Sequence, residues 1–215
     1  MMMKHILRSD IDKMEKRFRA NFINSLSGFK SANLVGTKSA DGQSNVSIVS
    51  SVIHLGSNPP LLGMVMRPPS VPRHSYENIL ETKVFTLNHV GKDFFNEAHQ
   101  TSARYEKEES EFRATGLAEE YLNGSEVPSV GEASIKMGMR LVEDVHITHN
   151  DTRFIIAEIE WVQLEEKLVK EDGFVDLFEA EGVCISGLDS YHSPTSLGRL
   201  EYAKADQPLR FKQTK

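Results

Sequence analysis

A mainly β fold with helical insertions, α+β in outline and closing as an antiparallel barrel, is predicted by three features of this 215-residue chain. Six or seven segments rich in β-branched and aromatic residues show the strand period of two. Short turn signals join several of them as hairpins. Helical periodicity is too sparse for the crossover helices of a doubly wound parallel sheet.

Taken in order, Ser9 followed by Asp12 reads as a variant capping box. Ile11, Met14, Phe18, Phe22 and Leu26 then recur at helical spacing, and Gly28 ends the helix in the left-handed conformation. Ala32 to Thr37 is a strand, Ala40-Asp41-Gly42-Gln43 a hairpin turn, and residues 45–55 the partner strand. Leu61 to Met66 makes another strand after the Asn58-Pro59-Pro60 break. Ser75 to Glu81 is a short helix, Val84 to Val90 a strand and Phe94 to Arg104 a helix. The charge run Glu106 to Glu111 reads as a solvated face or loop, and residues 121–131 as a loop. Ile135 to Ile147 and Phe154 to Val169 are long strands joined through His149-Asn150-Asp151. In the second, Ile155, Ala157, Ile159 and Trp161 alternate with Glu158 and Glu160, as in a strand with one wet face. Val183 to Ser186 closes the series as a short strand.

Composition narrows the function classes. A net charge of −6 and a pI near 5.8 give no general attraction to nucleic acid or to an anionic membrane. No apolar run approaches the roughly 18 residues of a membrane span. The opening Met1-Met2-Met3-Lys4-His5-Ile6-Leu7-Arg8 lacks the apolar region of a signal peptide, so a cytoplasmic location is expected. The single Cys184, in the apolar run Gly182 to Ile185, reads as a buried thiol in a reducing compartment.

Chemistry concentrates between Ser44 and Ile79. Alternation puts Asn45, Ser47, Val49, Ser51 and Ile53 on one strand face and Val46, Ile48, Ser50 and Val52 on the other. Both faces carry hydroxyls. Either water satisfies them on an exposed hairpin, or a heterocycle with ring carbonyl and imino groups does. After the next strand, Pro68, Pro69 and Pro72 stiffen a loop bracketed by Arg67 and Arg73. His74 or Ser75 stands where an N-cap belongs, with Tyr76, Glu77 and Asn78 opening the helix. Such a helix start is either plainly capped beside two surface arginines or an anion site, with free N–H donors and forked guanidinium bonds for a phosphate. His146-x-x-His149 has a metal-compatible spacing but reads as surface histidines at a strand end.

The run from Gly36 to Val90 resembles the flavin reductase-like family. Asn45-Val46-Ser47-Ile48-Val49-Ser50 matches its strand signature, and Arg73-His74-Ser75-Tyr76-Glu77-Asn78-Ile79 its phosphate loop. Ser186 to His192 and Arg199 to Lys204 are similar to a subgroup of these proteins. His74 stands where the family often has Asp, and Ser47-Ile48 where it often has Ala-Pro. The resemblance implies an FMN-binding split β-barrel of antiparallel Greek-key type over residues 28–205. An N-terminal helix, residues 1–27, would pack on the barrel, and residues 206–215 would form a tail.

It further implies non-covalent FMN in a homodimer with the flavin sites at or near the subunit interface. Asn45, Ser47, Ile48, Val49, Ser50 and Ser51 would meet the ring and ribityl chain. Arg67, Arg73, His74, Ser75 and Asn78 would take the phosphate. His192 is either a plain loop histidine or reaches the flavin edge or the partner's pocket. No Gly-x-Gly-x-x-Gly turn is present for NAD(P)H, so the nicotinamide would stack transiently on the flavin and pass hydride to N5. The expected activity is that of an NAD(P)H-dependent flavin reductase, like the reductase components of two-component monooxygenases, serving a flavin, an oxygenase or another acceptor. A non-enzymatic FMN-binding electron carrier is the alternative.

Overall fold

A computed structural model describes residues 2–212. Helices α1 (Arg8–Lys13) and α2 (Lys16–Leu26) lead into β1 (Lys30–Ser31), β2 (Asn33–Lys38), β3 (Ser44–Val49), β4 (Ile53–Ser57) and β5 (Pro60–Met66). Then come α3 (His74–Thr82), β6 (Val84–His89), α4 (Phe95–Gln100), α5 (Glu111–Thr115), β7 (Glu119–Glu120) and β8 (Ser129–Val130). The long strands β9 (Ile135–Ile147) and β10 (Thr152–Leu164) precede a 3-10 turn at Glu166–Leu168, β11 (Cys184–Ser186) and β12 (Ser190–His192).

Seven strands form one antiparallel sheet in the order β3-β2-β6-β9-β10-β5-β4. Its edge strands, β3 and β4, are consecutive in the chain, joined only by Ser50, Ser51 and Val52. That link spans at most about 14 Å. The sheet must therefore curl until its edges nearly meet, and no ladder joins them. The result is a barrel split along one seam. At the seam Ser51 Oγ donates to the Val65 carbonyl (2.9 Å) and accepts from Val65 N–H (3.0 Å), taking the place of a paired strand. The connection from β5 through α3 to β6, with β5 lying beside β10, is the Greek key.

Strand β2 is buried on both faces and β3 over its first half, so they carry two cores. Val35, Met64, Ile79, Phe85, Leu87, Met139 and Ile155 fill the barrel, with Val49 and Val52 against them. On the outer side Leu34, Val46 and Val90 pack against Phe94 at the start of α4, Ala98 of α4 and Phe112 of α5. Burying a side chain such as Phe112 contributes about 1.5–3 kcal/mol, enough to hold these short helices on the sheet.

Several expectations need correction. Residues 45–55 are not one strand: the chain leaves β2 after Val49 and pairs with β5 from Ile53. The N-terminal helix is two helices, because Glu15 caps α2 by accepting from the N–H groups of Arg17 and Phe18. Its start is Leu7, whose N–H donates to Asp10, while Asp12 pairs with Arg8. Neither helix buries a residue. The helix expected over Phe94 to Arg104 stops at Gln100, and Ser129–Val130 in the expected loop pairs with Glu119–Glu120. A register shift between Ile159 and Trp161 lays the indole over Gly138, outside the barrel, instead of continuing the alternation. Cys184 is half-buried. Residues on either side of 205 form one hairpin, with Lys212 N–H donating to Arg199 O (2.8 Å); the end of the expected tail, residues 213–215, lies outside the described residues.

Candidate functional site

Strand β3 is a sheet edge, so alternate N–H groups face away from β2 and need other acceptors. Val46 N–H donates to Glu111 Oε2 (3.3 Å) and Ile48 N–H to Thr101 Oγ1 (3.0 Å), both from the 92–131 insertion. Beyond them, no hydrogen bond recorded among the described residues uses the N–H groups of Ser50, Ser51 or Val52. The insertion therefore closes one end of the edge and leaves backbone donors without partners at the seam end.

Helix α3 begins beside this edge. Its N-cap is Arg73, not His74 or Ser75, and an arginine side chain cannot accept from the first-turn N–H groups. Glu77 reaches back only to Arg73 N–H (3.0 Å). The first turn thus keeps free donors and the positive end of the helix. Arg67 and Arg104 act electrostatically on Arg73, so three guanidinium groups share this corner. Burial, then those two charges, push Arg73 below its ordinary value. Among the described ion pairs none involves Arg67, Arg73 or Arg104, as none involves Arg17, Arg19, Arg113 or Arg210; what sets the three apart is that they act on one another. With Arg67 and Arg104 exposed their repulsion is screened, and an anion placed among the three would relieve what remains.

Behind this corner lies a buried polar chain. Asn45 satisfies its surroundings with Nδ2 at 3.0 and 3.1 Å from the two Glu111 oxygens and Oδ1 accepting from Ser75 Oγ (2.7 Å) and Val46 N–H (3.1 Å). Ser75 Oγ also lies 2.6 Å from Ser47 Oγ. Asn45, Ser75 and Glu111 are 5%, 5% and 7% exposed, and burial raises the Glu111 carboxyl above its usual range. Asn78 Nδ2 donates to Thr37 Oγ1 (3.1 Å), pinning α3 to β2. Tyr76 OH donates to Asp144 (2.8 Å), which Arg153 also holds, so β9 and β10 fix the other side of the same turn.

The expected residues sort accordingly. Asn45, Ser47, Arg67, Arg73, His74, Ser75 and Asn78 come together around the start of α3. Ser50 and Ser51 sit at the seam, Ile48 packs against the outer core and Val49 against the barrel core. His192 stands apart on β12, 2.8 Å from Ser186 Oγ, with its ring edge-on to Phe29 at 4.8 Å. Sequence reasoning missed Arg104, Thr101 and Glu111. Only the fold brings Arg104 towards Arg73 and Thr101 to β3. Glu111 was masked by its acidic neighbours, although the buried Phe112 beside it marks the face that turns inward.

A family model for the flavin reductase like domain matches residues 27–179. The chain belongs to the flavin reductase-like family. A candidate flavin reductase with split barrel domain from Shewanella frigidimarina is 52% identical, superposes with a TM-score of 0.90, and is matched over 93% of this chain and 100% of its own. Nitrilotriacetate monooxygenase component B from Bacillus cereus shares the fold at 17% identity and a TM-score of 0.81, over 93% and 99% of the two chains. Flavoredoxin of Desulfovibrio vulgaris does so at 21% and 0.69, over 83% and 92%. The function class of this flavin reductase-like chain is flavin-linked oxidoreduction. No helix among its described residues is long and apolar enough to cross a membrane.

Proposed function

We propose that this protein binds FMN non-covalently and is an NAD(P)H-dependent flavin reductase, working as a homodimer and serving a free flavin, an oxygenase component or another acceptor. The observation that carries the reading is the corner where Arg67, Arg73 and Arg104 converge, unpaired, on the uncapped start of α3 beside the open end of β3. The donor set suits FMN: guanidinium forks and first-turn N–H groups for a phosphate dianion, and a row of edge N–H groups for ring carbonyls.

A flavin held there would supply the redox chemistry itself. The chain's own work is to bind and orient. Arg73, half-buried and braced against the Pro68 carbonyl (3.4 Å), would anchor the phosphate, with the exposed Arg67 and Arg104 adding charge. The N–H groups of Ser50 and Val52 would offer donors to the ring's carbonyl groups, and donors there would favour a reduced, more negative ring. No side-chain acid or base is required for hydride transfer.

The test is an anaerobic absorbance titration of FMN-loaded protein with NADH and then NADPH. Bleaching of the flavin's visible band by either nucleotide supports the reductase. Bleaching by dithionite alone makes the protein an electron carrier, and failure to retain FMN overturns the reading.

A further inference from the structure

We propose that Glu111 is a positioning residue that sets the polarity of a buried hydrogen-bond relay, Glu111–Asn45–Ser75–Ser47, and so decides whether Ser47 offers a bound ligand a lone pair or a proton. The direction of its effect on FMN rests on the proposed function above.

The relay has one free end. With Glu111 ionised, its two oxygens are acceptors only, so the Asn45 amide must turn Nδ2 towards them. Asn45 Oδ1 then faces Ser75, whose hydroxyl donates to it (2.7 Å). The Ser75 proton is committed, so across the 2.6 Å contact Ser47 must donate and Ser75 accept. Ser47, the half-buried member, is left facing outward with a lone pair. Protonating Glu111 reverses every link. Its hydroxyl donates to Asn45 Oδ1, and the turned amide donates to Ser75 Oγ at the same 2.7 Å. Ser75 then donates to Ser47, and the Ser47 proton is free for a ligand. Reversal rotates only the amide and hydroxyls, but it turns Nδ2 towards Val46 N (3.1 Å), so the Val46 N–H must then rest on Glu111 Oε2 alone (3.3 Å).

The surroundings make Glu111 the element that switches. It is buried against β3, which carries no ionisable side chain over Ser44–Val49. Packed nearby are Glu97 and His99 on α4, Glu109 just before α5 and Arg113 on α5 itself; of these Glu109 acts on Glu111, against ionisation. A phosphate is all acceptor, so the state in which Ser47 donates binds it better. FMN affinity therefore gains a component that strengthens as Glu111 takes up its proton.

Glu111→Gln removes the charge that holds the Asn45 amide towards it and so favours the donating state, in which the glutamine N–H donates to Asn45 Oδ1 and the glutamine carbonyl accepts from Val46 N–H. FMN binding, read by quenching of flavin fluorescence, is expected to be about tenfold tighter in this variant than in the wild type at pH 8. The two should converge as the pH falls. The phosphate's own ionisation is common to both and cancels in the ratio. Reciprocity requires FMN to raise the Glu111 midpoint by the same factor, about one pH unit for tenfold, read from its carboxyl carbon by NMR. A ratio constant with pH, or a midpoint that FMN leaves unmoved, overturns the proposal. Ser47→Ala removes the free end and should abolish the pH-dependent difference while Glu111 still titrates; a surviving difference also overturns it. If the wild type holds no FMN, the functional reading fails, and the relay is decided in the FMN-free protein. There the Asn45 amide protons must move from Glu111 towards Ser75 in Glu111→Gln, and an unmoved amide sinks the relay.

Discussion

Arg73 shows why position outweighs residue type. It is the partly buried member of the arginine corner and the cap of α3, so it is the least free to find another partner. Arg73→Glu should weaken FMN binding by about a hundredfold or more, since it removes a charge-assisted bond and adds repulsion. Riboflavin, which lacks the phosphate, should bind both forms alike; equal losses for the two ligands would remove the phosphate assignment. Arg104→Gln should cost about tenfold, being exposed and screened, with most of the loss vanishing in high salt. Arg67 and Arg73 were legible because they bracket a proline loop at a helix start. Arg104 was not: its nearness to Arg73 depends on α4 folding back over β3.

At the scale of elements, the hairpin partners β2–β3 and β9–β10 were legible in the sequence, and the change of partner at the seam was not. Asn45, Ser47, Val49, Ser51 and Ile53 keep a period of two straight through the seam, because alternation reports faces and not neighbours. The change of partner at Ser50 is fixed by β5, which offers Val65 to Ser51 from a later part of the chain. The helical spacing from Ile11 to Leu26 likewise runs unbroken through the point where Glu15 restarts the helix. Two elements can be tested directly. Gly138 lies under Trp161 so closely that an added Cβ would sit 2.1 Å from the indole nitrogen, so Gly138→Ala must displace the ring. A loss of about 1–3 kcal/mol in urea unfolding is expected, and an unchanged midpoint would show that the ring moves freely. Helix α3 is tied to the sheet by Asp144. Burial alone would raise this carboxyl, but hydrogen bonds from Arg153 and Tyr76 outweigh it and hold it below 3.8. A group depressed in the folded state stabilises above its unfolded value, and that stability is lost as pH falls through the folded one. Asp144→Asn should therefore be less stable than the wild type at pH 7, with the gap narrowing below about pH 4. A gap constant with pH would deny Asp144 this role.

The whole molecule raises the question of what covers its apolar surface. Helix α2 is 11 residues long and buries none of them, with Phe18 and Phe22 stacked at 6.4 Å and Leu26 65% exposed. A helix that short has little stability in water on its own, so covering its apolar stripe with a partner would stabilise it. Phe29, 71% exposed, continues the stripe towards His192, and Phe211, 68% exposed, adds to the apolar surface from the C-terminal hairpin. A second copy of the chain is the partner that the homodimer reading supplies. A stable interface needs about 800 Å² from each side, which one small helix cannot give alone, so the exposed apolar side chains must act together. Sedimentation should then report twice 24.2 kDa, with the double substitution Phe18→Ser and Leu26→Ser shifting the mass towards the single chain. If His192 reaches a neighbouring flavin across that interface, FMN affinity should fall in step with dissociation although neither substituted residue touches the cofactor. A wild-type chain that sediments as a monomer yet holds FMN tightly would show that the arginine corner and the seam suffice by themselves.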